Sequence, residues 1–259
     1  MGEHGTWLDF LNRFPWWQRF QHDAENVLGR KWRFMMFQES HFTLTHVLIT
    51  LLVLGFVIYG GLRFRSGLAT ADGGLVPPRR MTLRNFFEMM TESVYGMVEG
   101  AMGEHNAKRF FPLVGTLWIF ILFGNLIGLL PGFVSSNDTL KTNVALAGTV
   151  FVLTHYYGIR EHGLFKYLKH FAGPVPVLAP LMVPIELISH LARPLSLSFR
   201  LLGNMVADHK VLFTFTTLLP FFVPLPFYLL GLLVCLVQAL VFCMLTMVYL
   251  GMAVEHEEH

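Results

Sequence analysis

Residues 195–210 read LSLSFRLLGNMVADHK, a stretch that places Arg200, Asn204, Asp208, His209 and Lys210 inside one of the most apolar parts of the chain. A charged side chain at the centre of a bilayer-spanning helix costs about 2.5–3.5 kcal/mol on insertion scales, and more on an isolated helix. Either another group offsets that cost or the segment is not an ordinary span.

The pattern extends toward the N-terminus. On a helix through 186–208, turning about 100° per residue, Glu186, His190, Arg193, Arg200, Asn204 and Asp208 fall within about 80° of one another. Pro194 kinks such a helix and blurs the grouping; His209 and Lys210 point elsewhere. A membrane helix with one polar stripe turns it toward protein or a water-filled cavity, and by default the stripe marks an ion or proton pathway. The plainer reading pairs Glu186 with His190 or Arg193 as buried ion pairs between helices. Arg200 fits that reading less well. The nearest acid on its stripe, Asp208, lies about 12 Å along the axis, which points to a partner on another chain.

The surrounding sequence is that of an integral membrane protein. Of 259 residues, 54% are hydrophobic and 14% charged, with a mean hydropathy of +0.53. A net charge of +2, with 19 Lys and Arg thinly spread, leaves no nucleic-acid surface. Cys235 and Cys243, eight residues apart on one apolar helix, lie about 12 Å from each other, too far for a disulfide. Residues 1–40 form an aromatic surface segment in which Trp7, Phe10, Leu11, Phe14 and Trp17 recur at helical spacing. The start MGEHGT fits the short myristoylation pattern weakly, and it lacks the basic and apolar regions of a cleaved signal.

Residues 41–259 form the membrane domain. The first span covers 43–62, and Gly73, Gly74, Pro77 and Pro78 mark a loop after it. Residues 81–102 carry one apolar face interrupted by Glu88, Glu92 and Glu99, the pattern of an interfacial or re-entrant helix. Spans follow at 110–134 and about 144–160, then long apolar segments at about 174–219 and 226–253, separated by Pro220, Pro224 and Pro226. If the first span ends in the cytoplasm, ten Lys and Arg lie in cytoplasmic loops and six on the other side. That balance favours an external N-terminus and a cytoplasmic C-terminus.

At this point the residues match a known pattern. PIELISHLARPLSLSFRLLGNMVADH, residues 184–209, resembles the signature of subunit a, the membrane stator of rotary F-type ATP synthases. FFPLVGTLWIFILFGNLIGLLPGF, TNVALAGTVFVLTHYYGIREHG and the C-terminal LVQALVFCMLTMVYLGMAVEHEEH are similar to the family in the same order, so the likeness covers roughly residues 40–259.

The resemblance implies an all-α membrane protein of about five membrane helices plus an interfacial helical hairpin, the last two helices strongly tilted against a rotor ring. It implies a proton-translocating subunit with no catalytic site, cofactor or metal of its own. Its partners would be a ring of c subunits, peripheral-stalk b subunits, the rest of the complex and the bilayer, in a bacterial inner membrane. Arg200 matches the family's essential arginine, which attracts the rotor carboxylate and separates two aqueous half-channels. A guanidinium suits that task because it stays protonated at any relevant pH. Asn204 matches a polar position one turn later, Gln238 the glutamine of the final helix, and Glu186 the acid of one half-channel. The plainer reading of Gln238 is an interhelical hydrogen bond.

In one place the chain departs from the pattern. His209 occupies a site where relatives often carry Glu or His answered by a complementary residue on the last helix. Here the answering position is Gly231, and residues 211–254 contain no Asp, Glu, Lys, Arg or His. Asp208, His209 and His190 are the candidates to serve the external half-channel instead, and Gly231→Glu is expected to be tolerated beside His209. A secondary transporter, or another polytopic ion-pathway protein, is the rival reading. Transporters usually show two related halves, and this sequence shows none.

Overall fold

The computed structural model describes residues 14–28, 33–34, 37–38, 44–68, 83–130, 133, 135–163, 167, 179–218 and 224–254. Trp7, Phe10, Leu11, the start MGEHGT, the loop at Gly73–Pro78, Pro220, residues 174–178 and the EHEEH tail lie outside them. Among the described residues the elements run α1 (Pro15–Leu28), β1 (Arg33–Phe34), β2 (Phe37–Gln38), α2 (Leu44–Leu68), α3 (Leu83–Leu129), α4 (Leu140–His162), α5 (Ala179–Leu218) and α6 (Pro224–Val254). The fold is helical apart from the antiparallel pair β1–β2, in which Arg33 faces Gln38 and Phe34 faces Phe37.

Among the described residues, three helices are long and apolar enough to cross a membrane: α2 over His46–Arg63, α3 over Asn85–Leu129 and α6 over its full Pro224–Val254 length. Their outer faces carry exposed Leu51, Leu52, Ile58, Leu229 and Leu233, which would be a liability in water and suits lipid. Inside, Val98, Val114, Ile121, Leu201, Phe242 and Met247 form one core shared by α3, α5 and α6, with Ala147 and Val150 of α4.

Helix α3 joins the two segments read at 81–102 and 110–134. The break between them lies at Gly103, whose backbone (φ 77°, ψ 160°) is open to glycine at no steric cost. The second segment starts directly after this kink, without a loop. Its first turns are charged, with Lys108 paired to Glu104 at 2.7 Å and Arg109 to Glu161 of α4 at 2.9 Å. The Arg109 guanidinium also lies over the rings of Phe110 and Tyr157. Helix α2 similarly continues past Arg63 and Arg65, with Arg63 Nε donating to the Tyr59 hydroxyl at 3.0 Å.

Helix α4 begins earlier than its apolar run because Thr139 caps it, its side chain accepting from the Thr142 N–H. It ends at Gly163, which has positive φ and donates its N–H to the Ile159 carbonyl at 2.8 Å. Helix α5 is one element of 40 residues despite Pro184 and Pro194 inside it. At about 1.5 Å per residue it is about 60 Å long. Helix α6 opens on the buried Pro224, suited to a first turn because its missing N–H would have no helical acceptor there.

Candidate functional site

The two faces of α5 differ in kind. Leu197, Leu201, Met205 and Leu212 are buried against the rest of the chain. Ala192, Ser196, Arg200, Gly203 and Ala207 follow one another at helical spacing along the exposed face. Arg200 therefore projects away from its own chain, and among the described residues no hydrogen bond or ion pair holds its guanidinium. The residues around it are small, which in a membrane lets another helix approach closely.

One turn on, Asn204 tucks between α5 and α6. Its Nδ2 donates to Gln238 Oε1 at 2.6 Å, so the plainer reading of Gln238 as an interhelical partner is realised. Hydrogen bonds of this kind contribute about 0.6–1.7 kcal/mol between membrane helices. Gln238 is 4% exposed, and its Nε2 has no acceptor among the described residues.

The other stripe residues separate into two clusters. Toward the N-terminal end, Glu186 Oε1 lies 3.1 Å from His190 Nε2. Arg193 stacks over the Tyr249 ring of α6 at 5.2 Å, and of the two ion pairs open to Glu186 the one formed among the described residues is with histidine. His190 also faces His155 of α4, with ring centroids 5.3 Å apart.

Toward the C-terminal end, His209 Nδ1 lies 3.7 Å from Asp138 Oδ2 in the loop before α4. This loop is held tightly against α3. Ser135 Oγ donates to the Gly124 carbonyl at 2.9 Å, Asn137 Nδ2 to Asn125 Oδ1 at 2.7 Å, and Asn143 Nδ2 to the Asn137 carbonyl at 2.9 Å. The close fit requires Gly128, where a methyl group would sit 2.7 Å from Ser135 Cβ and 3.0 Å from His209 Nε2.

Position 231 does not answer His209. A Cβ there would meet Asp208 Oδ2 at 2.7 Å and Leu129 Cδ2 at 2.7 Å. The expectation that Gly231→Glu sits comfortably beside His209 is therefore corrected, because the new carboxylate would crowd that of Asp208. His190 likewise lies with Glu186, about 27–29 Å along the helix from Asp208 and His209, so α5 does not bring it to their cluster. His209 is paired with Asp138, which lies between the spans read at 110–134 and about 144–160. Its signal was present: SSND is a polar run between two spans, with an acid just before a helix cap.

Arg200 thus stands between two polar clusters, about 21 Å along the axis from Glu186 and about 12–14 Å from Asp208 and His209. A family model described as ATP synthase A chain matches residues 40–251. ATP synthase subunit a 2 of Syntrophotalea carbinolica is 48% identical over 217 residues, covering 84% of this chain and 88% of the relative. ATP synthase subunit a of Bdellovibrio bacteriovorus is 41% identical over 197 residues, 76% and 86% of the two chains. That of Geobacter sulfurreducens is 50% identical over 173 residues, 67% and 75%.

Proposed function

The chain belongs to the ATP synthase A chain family, and from that premise we propose how its side chains carry protons past a rotor. It is the non-catalytic, proton-translocating subunit of the F-type membrane sector. Arg200 is the group that meets the rotor: its exposed guanidinium attracts the deprotonated carboxylate of each passing c subunit. The observation that carries this reading is a guanidinium without a hydrogen-bond or ion-pair partner among the described residues, centred on a small-residue face between two polar clusters. Each proton moved through 100 mV supplies about 2.3 kcal/mol to the turning ring.

Five helices cross the bilayer in this account: α2, the 104–129 part of α3, α4, α5 and α6, while 83–102 lies in the interface. Helix α5, about 60 Å long in a hydrocarbon core of about 30 Å, lies strongly tilted, and α6 follows it along the ring. The cation balance of the loops supports an external N-terminus and a cytoplasmic C-terminus in a bacterial inner membrane. The Glu186–His190 end of α5 then serves the cytoplasmic half-channel. The Asp138, Asp208 and His209 end serves the external one. Gln238, through Asn204, fixes the wall beside Arg200. Peripheral-stalk b subunits hold the stator against the turning ring.

Glu186 gives the first test. Its side chain is 38% exposed while that of His190 is 12% exposed, a gradient from open to enclosed. Glu186→Gln is expected to slow ATP-driven proton pumping in inverted vesicles by about tenfold, a smaller loss than the hundredfold or more of a full general acid–base group, without uncoupling hydrolysis from rotation. A cysteine at 186 should react with a water-soluble thiol reagent. Protection of that cysteine from both sides of the membrane would overturn the half-channel assignment.

A further inference from the structure

Behind Glu186 and His190 the chain holds a second histidine that the stripe on α5 does not contain. His155, half-buried on α4, faces His190 across a ring-centroid distance of 5.3 Å. Its Nδ1 shares a 3.2 Å hydrogen bond with the hydroxyl of Tyr167, and its ring packs on Phe151 at 4.2 Å. Between the helices lies a cavity of about 20 Å³, lined by His155, His190, Arg193, Tyr249 and apolar side chains such as Leu197 and Val150. A water occupies at least about 10–15 Å³ on this measure and needs two to four polar partners. The cavity has the volume of one water and lies between the His155 and His190 rings and the Arg193 side chain, within walls that are mainly apolar.

We propose that Glu186, His190 and His155 form a proton-exchange chain, in which His155 is a second proton-transferring residue reached through His190 and the water-sized cavity. This rests on the assignment of Glu186 to a half-channel. A proton from Glu186 adds to His190 Nε2. The resulting imidazolium releases a proton from its other ring nitrogen to His155, directly or through one water, and the reverse sequence returns it. No electrons move and no bond other than N–H or O–H changes. Imidazole suits the task because its ordinary pKa of about 6.5 lets it take up and release protons near neutral pH.

The groups facing the pair are Glu186 and Arg193 from α5, Tyr249 from α6 and Tyr167 from the segment after α4. Arg193 stays cationic and stacks on Tyr249, so it shapes the field without carrying protons. Burial holds the Tyr167 phenol above its ordinary pKa, which keeps it a neutral hydrogen-bonding group for His155. The chain thus runs from the open end at Glu186 through His190 to His155, beside the cavity that Arg193 and Tyr249 help to line.

The test uses the assembled complex in inverted vesicles. His155→Phe keeps an aromatic ring against Phe151 and His190 but removes both nitrogens. It is expected to lower ATP-driven proton pumping about tenfold, a smaller loss than the hundredfold or more of a full general acid–base group, with normal subunit content. His155→Ala should lose as much and recover in added imidazole, whereas His155→Phe should not recover. A wild-type rate in His155→Phe, with cysteine 186 accessible to reagent, would overturn the relay and leave the half-channel assignment standing. An inaccessible cysteine 186 would overturn both. Equal losses in the two variants with no rescue of His155→Ala by imidazole would assign His155 a packing role and also overturn the relay.

Discussion

Arg200→Ala is expected to abolish both ATP-driven proton pumping and ATP synthesis while the complex still assembles. Assembly should survive because the side chain makes no ion pair or hydrogen bond among the described residues and projects from an exposed face. Removing it leaves no buried partner unsatisfied among the described residues. Function should not survive, because nothing else near the middle of α5 carries a permanent positive charge. Arg193 is stacked on Tyr249 about 10 Å away along the axis, and Lys210 lies about 15 Å away on the other side. Arg200→Lys should fail almost as completely, since a desolvated ammonium deprotonates where a guanidinium does not. Proton pumping followed by a fluorescent pH probe, with subunit content measured in the same membranes, checks this. Normal pumping in assembled Arg200→Ala would contradict it.

His209→Ala should have the second largest effect, lowering proton flux by about a hundredfold, the lower end of the range for loss of a proton-transferring group. His209 joins the Asp138 loop to α5 at 3.7 Å and is fitted against Gly128, so its ring closes the gap between α3 and α5. Asp138→Asn should cause a smaller loss, because it removes the charge facing His209 and leaves the imidazole in position. Asp208→Asn should have the least effect of the three. Asp208 faces Gly231, with its Oδ2 unpartnered among the described residues, and makes no ion pair there. Gly231→Glu is expected to impair assembly or flux, since its Cβ alone would approach Asp208 and Leu129 to 2.7 Å. Flux in the four variants, normalised to assembled complex, ranks these effects. Wild-type flux in His209→Ala would reduce His209 to a packing residue.

Much of this arrangement is legible in the sequence because cost makes it visible. A charge such as Arg200 in an apolar helix demands an explanation, and periodicity places Glu186, His190, Asn204 and Asp208 on its side of α5. Periodicity describes one helix at a time. It carries no information about what stands opposite, which is why it left Gln238 open between channel group and interhelical partner, and why Gly231 was set against the wrong neighbour. The hydrogen bond from Asn204 and the close approach to Asp208 depend on how α5 and α6 pack. Asp138 and His155 were passed over for the same reason. Each is unremarkable on its own segment and becomes informative only beside a histidine of α5. The kink at Gly103 illustrates a different limit. Residues 103–109 lie between the segments read at 81–102 and 110–134, yet a single positive-φ glycine makes the turn, and Glu104, Lys108 and Arg109 are helical and held in ion pairs.

The central claim is that the exposed small-residue face around Arg200 lies against the rotor ring. Disulfide trapping tests it most directly, because two cysteines join only when their Cα atoms come within about 7 Å. Ser196→Cys and Ala207→Cys place thiols on that face, on either side of Arg200, and each would be paired with a cysteine one turn from the buried carboxylate of a c subunit. Val152→Cys, on the exposed outer face of α4, is the control. The account predicts an a–c disulfide from positions 196 and 207, none from 152, and a ring that no longer turns once the bond forms. Cross-links from 152 with none from 196 or 207 would place the rotor elsewhere and contradict the assignment of Arg200.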